Sequence, residues 1–332
     1  MPLDDDAVMG AAEDASGEPA LTHHLETPDL PLGEVAPEAT RERATSRTLW
    51  GDAWRRLLRN KLAIAALVYL TLITLMAITA PLWVKPLFGD PFYENTRTIA
   101  QNQFLPPSIH HPMGTDDLGL DIFGRVIYGA RVSLLVGFLA TGISVVIGIA
   151  LGAVSGFYGG VTDSVVMRIT DVFLAFPYIL LAILLISLMG MGLGPVLVAI
   201  GILGWTTIAR VFRSSILSVK QNDYVEAARA MGAGDLRIMA RHILPNALAP
   251  IIVYATMSVG GVILTEAALS FLGVGVQPPT PSWGRMLNDA QNFVIVHPGL
   301  FIWPGLAIIL TVLAFVLLGD GLRDALDVKV SE

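Results

Sequence analysis

The chain has 332 residues, of which 54% are hydrophobic and only 15% are charged, and its formal net charge is −7. A soluble domain usually carries about 25% charged residues, so this composition argues against a soluble globular protein and favours one whose surface largely faces lipid. Because the sequence contains no cysteine, disulfide frameworks, thiolate metal sites and cysteine nucleophiles are excluded.

The acidic charge is confined to the N-terminus. Residues 1–40 contain ten Asp or Glu and no Lys or Arg, so the remaining residues carry 21 basic and 18 acidic side chains, a net charge of +3. Residues 1–45 show no helical or strand period, which predicts a disordered acidic tail. Nucleic-acid binding is not expected, because this tail repels phosphate and the basic residues flank apolar segments.

A short basic helix is predicted over residues 46–61. Its apolar and basic side chains gather on different faces, and they are Trp50, Trp54, Leu57 and Leu58 against Arg55, Arg56, Arg59 and Lys61. This pattern is typical of an amphipathic helix that lies in the membrane interface and contacts anionic headgroups. The alternative is that the basic residues only flank the first membrane span.

Six apolar segments are long enough to cross a bilayer, whose hydrocarbon core requires about 20 helical residues. They lie near residues 62–84, 132–156, 170–189, 195–212, 248–271 and 299–318. The segment 195–212 has the weakest pattern, since it begins with a proline and contains Arg210. Together the six segments predict an all-α, polytopic membrane protein.

The distribution of basic residues predicts the orientation of the chain in the membrane. With both termini in the cytoplasm, the inner segments contain 16 Lys or Arg and the outer segments contain five; this is the asymmetry expected of membrane proteins. The resulting divisions are an extracytoplasmic segment 85–131, a core 132–319 of five spans with a cytoplasmic loop 213–247, and a cytoplasmic C-terminus 320–332.

Glycine spacing predicts packing rather than nucleotide binding. Gly148, Gly152 and Gly156 recur every four residues in the second span, which allows a neighbouring helix to approach closely. The glycine-rich run at 190–194 follows no strand, and none of the four lysines follows a glycine, so the chain has no Walker A loop. ATP is therefore expected to bind to another chain.

The loop between the fourth and fifth spans has a helical pattern of its own. Asp223 can cap a first helix, Gly232 or Gly234 can end it in the left-handed conformation, and Asp235 can cap a second. Apolar residues recur along the second helix at positions 236, 239, 243 and 244. Small side chains at 227 and 228 would let the first helix enter a groove on another protein. A helical hairpin that merely covers the bundle is the alternative.

This loop resembles the EAA loop of permease subunits in binding-protein-dependent ABC importers. The resemblance lies in Glu226-Ala227-Ala228, then Gly232 after three residues, then Ile243-Leu244-Pro245 after ten more. His242 departs from the family pattern, which has an apolar residue three positions before the proline. The resemblance implies a type I ABC importer permease fold and a coupling helix that docks on an ATPase subunit. The loop residues it marks are Tyr224, Glu226, Ala227, Ala228, Arg229, Gly232, Ala233, Gly234, Asp235, Leu244 and Pro245.

Further stretches are similar to the C-type permease of dipeptide, oligopeptide and nickel importers. They are residues 111–131, 271–284 and 319–327, and the resemblance covers roughly residues 46–330. It implies a second permease subunit, one or two ATPase subunits that bind ATP and Mg, an extracytoplasmic substrate-binding protein, and no cofactor on this chain. It also implies a location in the bacterial cytoplasmic (inner) membrane. The expected substrate is a dipeptide or oligopeptide; nickel, glutathione or another small solute is the alternative.

Polar residues near the outer face suggest a pathway or gate. Glu266 is the clearest ionisable residue inside a span, and Gln277 and Trp283 follow the fifth span. Prolines around 278–281 predict an irregular re-entrant or interfacial loop, in which Trp283 is a gate or, preferably, an interface anchor. Thr115 is predicted to cap a helix that begins with Asp116. No metal site is predicted among the nearby histidines and carboxylates.

Two other classes of protein remain possible from the residues alone. A single-chain secondary transporter would require ionisable groups near the middle of the membrane, for which Glu266 is a thin basis. A membrane receptor or scaffold would have no transport pathway. The absence of a nucleotide site in a chain with a docking loop favours the permease subunit.

Overall fold

The structure is a computed structural model that describes residues 49–92 and 101–326. In these two ranges the regular structure is helical, and no strand is present. The helices are α1 Leu49–Leu57, α2 Lys61–Phe88, α3 Ile122–Tyr158, α4 Gly160–Ala175, α5 Tyr178–Met189, α6 Leu193–Leu203, α7 Trp205–Lys220, α8 Asp223–Ala230, α9 Asp235–Ile238, α10 Leu244–Ala247, α11 Ala249–Phe271, α12 Trp283–Ala290 and α13 Gly299–Leu326, and a π-helical turn covers Met239–Ile243. The predicted acidic tail lies outside the described residues.

Five helices are long and apolar enough to cross a membrane. They are α2, α3, the continuous pair α6 and α7 (Leu193–Lys220), α11 and α13. Each contains one of the predicted spans, including the weakly patterned 195–212. Several are longer than predicted because their polar ends continue the helix beyond the apolar stretch; α3, for example, has 37 residues.

The predicted span 170–189 is not a single straight helix. α4 and α5 meet at an angle of 89°, and the residue at the bend, Phe176, has the extended conformation φ −91°, ψ 141°. Pro177 explains the break, because a proline disfavours helical geometry in the residue before it. α5 alone has only 12 residues, about 18 Å of helix, which is too short to cross a hydrocarbon core of about 30 Å. Taken together, α4 and α5 are long and apolar enough to count as one broken span, so the described residues contain five spans, or six with this pair.

Among the described helices, α3 and α7 have the most extensive contact, and the three spaced glycines lie in it. A Cβ placed on Gly148 would lie 2.6 Å from Ile208, one on Gly152 2.6 Å from the carbonyl oxygen of Ala209, and one on Gly156 2.9 Å from Ile216. Any larger residue would push the helices apart. The predicted role of these glycines in close helix packing is confirmed.

The short basic helix α1 packs on α13 instead of lying free. Ala53 and Leu57 are buried in a small core with Ala63 and Ala325, and Asn60 caps α2 by accepting bonds from the N–H groups of Leu62 and Ala63. Trp54 and Leu58 remain about half exposed, and Arg55 and Arg56 are exposed. The helix therefore ends at Leu57, earlier than the predicted 46–61, because the Asn60 cap starts a new helix.

The loop 101–121 differs from its prediction at the helix start. α3 begins at Ile122, ten residues before the predicted span, and Asp121 is its cap, accepting a bond from the Gly124 N–H at 2.7 Å. Thr115 caps no helix: its hydroxyl accepts from the Leu105 N–H at 2.8 Å and donates to the carbonyl oxygen of Asn102. Thr115 thus folds the loop back on itself, and the helix cap lies six residues later.

Candidate functional site

The connecting segment, residues 221–248, joins α7 to α11 and contains most of the predicted site residues. Its first helix, α8, covers Asp223–Ala230. Gly232 then adopts φ +82°, the left-handed geometry that the sequence predicts and that favours glycine. The N–H of Ala233 returns to the carbonyl oxygen of Ala228 at 3.1 Å and that of Gly232 to Arg229 at 2.9 Å. These bonds close the end of α8 and turn the chain into α9.

The helix starts in this segment lack the predicted side-chain caps. Asp223 and Asp235 are the first residues of α8 and α9, and the residues before them, Asn222 and Gly234, make no capping side-chain bond. The two carboxylates still lie in the first turns, where the positive end of the helix dipole favours negative charge. Their role is therefore electrostatic complementarity to the helix start.

One face of the connecting segment is buried against the bundle. Val225 and Ala228 on α8, with Ile238 and Ile243 beyond the glycine turn, share a core with α7. The residues of α7 and α3 in that core are Ile208, Phe212, Ile216 and Phe157. Ala228 is only 3% exposed, so the prediction that it faces a partner together with Ala227 is wrong: the helix phase points Ala227 outward and Ala228 inward.

The opposite face is exposed and mixes large apolar with charged side chains. Met231 is 83% exposed, Leu236 82% and Tyr224 42%. Leu236 therefore does not join the packed face that its spacing predicted. Glu226, Ala227 and Arg229 are also exposed, and neither Glu226 nor Arg229 forms a salt bridge within the described ranges. Exposed apolar side chains on a segment between spans are typical of a protein-binding surface.

The last two residues that the resemblance indicates, Leu244 and Pro245, lie in α10, where the connecting segment joins α11. Leu244 packs against the same core, whereas Pro245 is exposed in the first turn of α10. The preceding π-helical turn, Met239–Ile243, accommodates this proline, since a proline cannot donate the usual helical bond. The sequence predicted only a helix boundary here.

Glu266 lies in a buried polar network at the end of the bundle opposite the connecting segment. Its Oε2 accepts from the Ser133 hydroxyl at 3.0 Å and its Oε1 from Ser270 at 2.8 Å. Ser270 in turn accepts from the Val276 N–H at 3.0 Å. Glu266 is 0% exposed, so in this chain its carboxyl group joins α3, α11 and the following turn and has no free surface.

Trp283 and Gln277 also have internal partners. Trp283 is 0% exposed, and its Nε1 donates to the carbonyl oxygen of Val126 at 2.9 Å. Residues 272–282 contain no helix, as the prolines predict. The interpretation of Trp283 as an interface anchor is wrong, because its side chain is buried in the bundle at the start of a regular helix, α12, which Ser282 caps. The Gln277 side chain donates to the carbonyl oxygens of Gly273 and Gly275 and stabilises the turn after α11.

An ion-pair network that the sequence analysis missed lies near these residues. Arg125 on α3 pairs with Asp116 of the 101–121 loop and, at 3.4 Å, with Asp289 on α12, which Arg285 also contacts at 2.8 Å. A cavity of about 590 Å³ adjoins it, with Arg125, Arg285, Asp289 and Asp117 among its lining residues. The pairing of residues 164 positions apart leaves no local sequence signal beyond the charges themselves.

The charge of Asp117 is only partly compensated in this cavity. Burial, the principal cause, and the neighbouring charge of Asp116 raise the pKa of Asp117 above its usual range. Burial likewise raises the pKa of Asp121, against the hydrogen bonds that it accepts from Gly124 and from His111. Residues 49–92 and 101–326 contain no group of three or more metal-ligating side chains with suitable geometry.

Comparisons with known proteins agree with this architecture. Residues 148–332 match the family of binding-protein-dependent transport system inner membrane components, and residues 48–107 match the N-terminal transmembrane domain of oligopeptide transport permease C. The methionine ABC transporter MetNI in an inward-facing form has a chain with a TM-score of 0.51 and 20% sequence identity, covering 60% of this chain and 96% of that one. At this identity the likeness shows the fold, and it confirms the predicted ABC importer permease fold.

Curated relatives cover most of the chain. The glutathione transport system permease protein GsiD of Pectobacterium atrosepticum is 45% identical over 284 residues, which are 86% of this chain and 92% of the relative. The dipeptide transport system permease protein DppC of Alkalihalophilus pseudofirmus is 44% identical over 286 residues, again 86% and 92%. The chain therefore belongs to the family of inner-membrane permease components of binding-protein-dependent ABC importers.

Proposed function

We propose that this chain is one of two permease subunits of an ATP-driven importer of short peptides. The observation that carries the proposal is the connecting segment, which has one face fixed in the core of the bundle and an exposed face bearing Tyr224, Met231 and Leu236. A partner bound to the exposed face would transmit its movement to the bundle, because a displacement of the connecting segment must also displace α7.

The partners follow from the family and from the absence of a nucleotide loop in the sequence. One or two separate ATPase subunits would bind ATP and Mg and dock on the exposed face of α8. A second permease subunit would complete the pathway, and a substrate-binding protein would deliver solute to the opposite end of the bundle. The chain itself would hold no cofactor and catalyse no reaction, and it would lie in the inner membrane with both termini in the cytoplasm.

Dipeptides or oligopeptides are the proposed substrates. The match to the oligopeptide permease C domain supports this choice, as do relatives named for dipeptide and glutathione transport. Glutathione is itself a tripeptide, so both names describe small zwitterionic solutes with peptide bonds. The binding protein would largely determine which of them is carried, and a glutathione or nickel importer is the alternative within this family.

Docking through the connecting segment can be tested by placing a charge on its apolar face. The variants Met231→Asp and Leu236→Asp each add a carboxylate that would lose its hydration in a packed interface. The amount of ATPase subunit that co-purifies should therefore fall by about tenfold or more. Ile109→Asp is the matched control, because Ile109 is 94% exposed at the other end of the bundle. Equal recovery of the ATPases with all three variants would contradict the proposal.

A further inference from the structure

Helix α4 is bounded by a hinge at each end. At its start, Gly159 and Gly160 have φ +68° and +55°, and a Cβ on either would meet nothing within 4 Å. Glycine is therefore needed at these positions for backbone conformation and not for space. At its end the chain turns by 89° into α5. Both points can absorb a rotation of α4 while the helix itself stays intact.

Packing holds α4 only weakly to the rest of the chain. Thr170 is the one buried residue among the 16 of this helix. Several of its large apolar side chains are exposed, with Val161 at 81%, Val172 at 54% and Val165 at 52%. Near its end, the Phe173 ring packs edge-on against Trp205 of α7, with ring centroids 5.7 Å apart. The first turns of α4 contain no buried residue, so without a further link the start of α4 could move about the glycine hinge.

That link consists of ion pairs to α7. Arg213 donates from Nε to Asp163 Oδ1 at 2.5 Å and from a terminal nitrogen to Asp163 Oδ2 at 2.6 Å. The hydroxyl of Ser155, at the end of α3, donates to the same Oδ1 at 2.5 Å. Two parallel bonds fix the orientation of the two groups as well as their separation. A second pair, Arg210 with Asp171, has a single bond and about half-exposed side chains, so it should contribute much less.

The same helix α7 is rigidly joined to the connecting segment. Phe212 and Ile216 flank Arg213 on α7 and are fully buried against Val225 and Ile238 of that segment. At the end of α7, the Lys220 ammonium donates to the carbonyl oxygen of Phe157 at 2.6 Å, which ties α7 to α3. A displacement of the connecting segment is thus carried by α7, and it reaches α4 at Asp163.

We propose that the Asp163–Arg213 pair is the link through which the start of α4 follows α7, so that both are positioning residues for transport. The inference rests on the proposed function, since the displacement would come from an ATPase docked on α8. In the intact chain α4 and the connecting segment then move as one body. Without the pair, the connecting segment still moves but α4 lags behind it.

The test uses the whole importer, reconstituted with cysteine-free partners. This chain contains no cysteine, so the same preparation also allows site-specific labelling. Uptake of a dipeptide and hydrolysis of ATP are measured together for Arg213→Gln, Asp163→Asn and the exchange Asp163→Arg with Arg213→Asp. We expect ATP hydrolysis to persist while the uptake per ATP falls by about tenfold in the single variants, a size typical of coupling between sites. The exchange should recover most of the ratio, and Arg210→Gln is the matched control.

A distance measurement separates this role from a merely structural one. Spin labels at Val165→Cys on α4 and Ala240→Cys, an exposed position of the connecting segment outside the proposed docking face, should give one narrow distance, unchanged between the nucleotide-free and ATP-trapped states. Arg213→Gln should broaden it, and the charge exchange should narrow it again. A narrow distance and an unchanged uptake ratio in Arg213→Gln would overturn the link. An importer that binds no ATPase would instead overturn the proposed function, while the distance would still report on the link.

Discussion

At the end of the bundle opposite the connecting segment, individual polar side chains stabilise the fold through buried hydrogen bonds. Glu266 illustrates this, because its carboxyl group is fully buried and accepts bonds from Ser133 and Ser270. Glu266→Ala should lower the free energy of unfolding by about 3 kcal/mol, since it opens a cavity and leaves buried hydroxyls unpaired. Glu266→Gln keeps an acceptor of the same shape and should cost less than about 1 kcal/mol. Thermal unfolding in detergent, followed by tryptophan fluorescence, distinguishes the two.

A pH effect is expected at Asp117, whose pKa is raised by burial and by the charge of Asp116. A raised pKa means that the folded state binds the proton more tightly than the unfolded state does. The contribution of Asp117 to the free energy of unfolding is therefore fully present below the ordinary pKa of aspartate. It is lost as the pH rises through the higher pKa of the folded state. Asp117→Asn removes the charge, so its melting temperature should exceed that of the wild type at pH 7.

The advantage of Asp117→Asn should shrink as the pH falls toward 4, because the wild-type carboxyl group is then protonated as well. Asp320→Asn, at an exposed carboxylate within α13, is a suitable control for general effects of charge removal. A constant difference between Asp117→Asn and the wild type from pH 4 to pH 7 would show that the substitution acts through hydrogen bonding and not through titration.

At the scale of helices, two glycines of α3 should respond in opposite ways to the same substitution. A Cβ on Gly152 would lie 2.6 Å from the backbone oxygen of Ala209, whereas one on Gly142 would meet nothing within 4 Å. Gly152→Ala should therefore destabilise the chain by about 1–3 kcal/mol through overpacking. Gly142→Ala should be neutral or stabilise it by up to about 1 kcal/mol, because alanine is the better helix former. Melting temperatures of the two variants, measured side by side, test this contrast.

The helices were predictable from the sequence where the bilayer dictates them. A span must be long and apolar, so hydropathy alone located α2, α3, the continuous pair α6 and α7, α11 and α13. The break between α4 and α5 was missed because apolar residues continue on both sides of it, although Pro177 was a visible signal. Helix ends were shifted for a similar reason: Asp121 and Asn60 act through local hydrogen bonds that hydropathy does not register.

The candidate site was predictable in identity but not in orientation. The resemblance marked residues 224–235, and the left-handed Gly232 follows from the need for a turn. Which of Ala227 and Ala228 faces a partner depends on the rotation of α8 against α7, which only the packed structure fixes. The Arg125–Asp116–Asp289 network was not predictable, since it joins residues from three separate parts of the chain.

For the whole molecule, the prediction that remains is its orientation in the membrane. The connecting segment and the 101–121 loop lie on opposite sides of the spans, and Met231 and Ile109 are highly exposed in them. Because the chain has no cysteine, Met231→Cys and Ile109→Cys each provide a single site for a thiol reagent that cannot cross the membrane; the chain is expressed without the ATPase subunits, which would cover Met231. The excess of basic residues on the side of the connecting segment predicts that this side is cytoplasmic. Ile109→Cys should then be labelled in intact spheroplasts, and Met231→Cys only after lysis. The reverse pattern would place the docking face on the side of the membrane where no ATP is available, and it would contradict the proposed coupling.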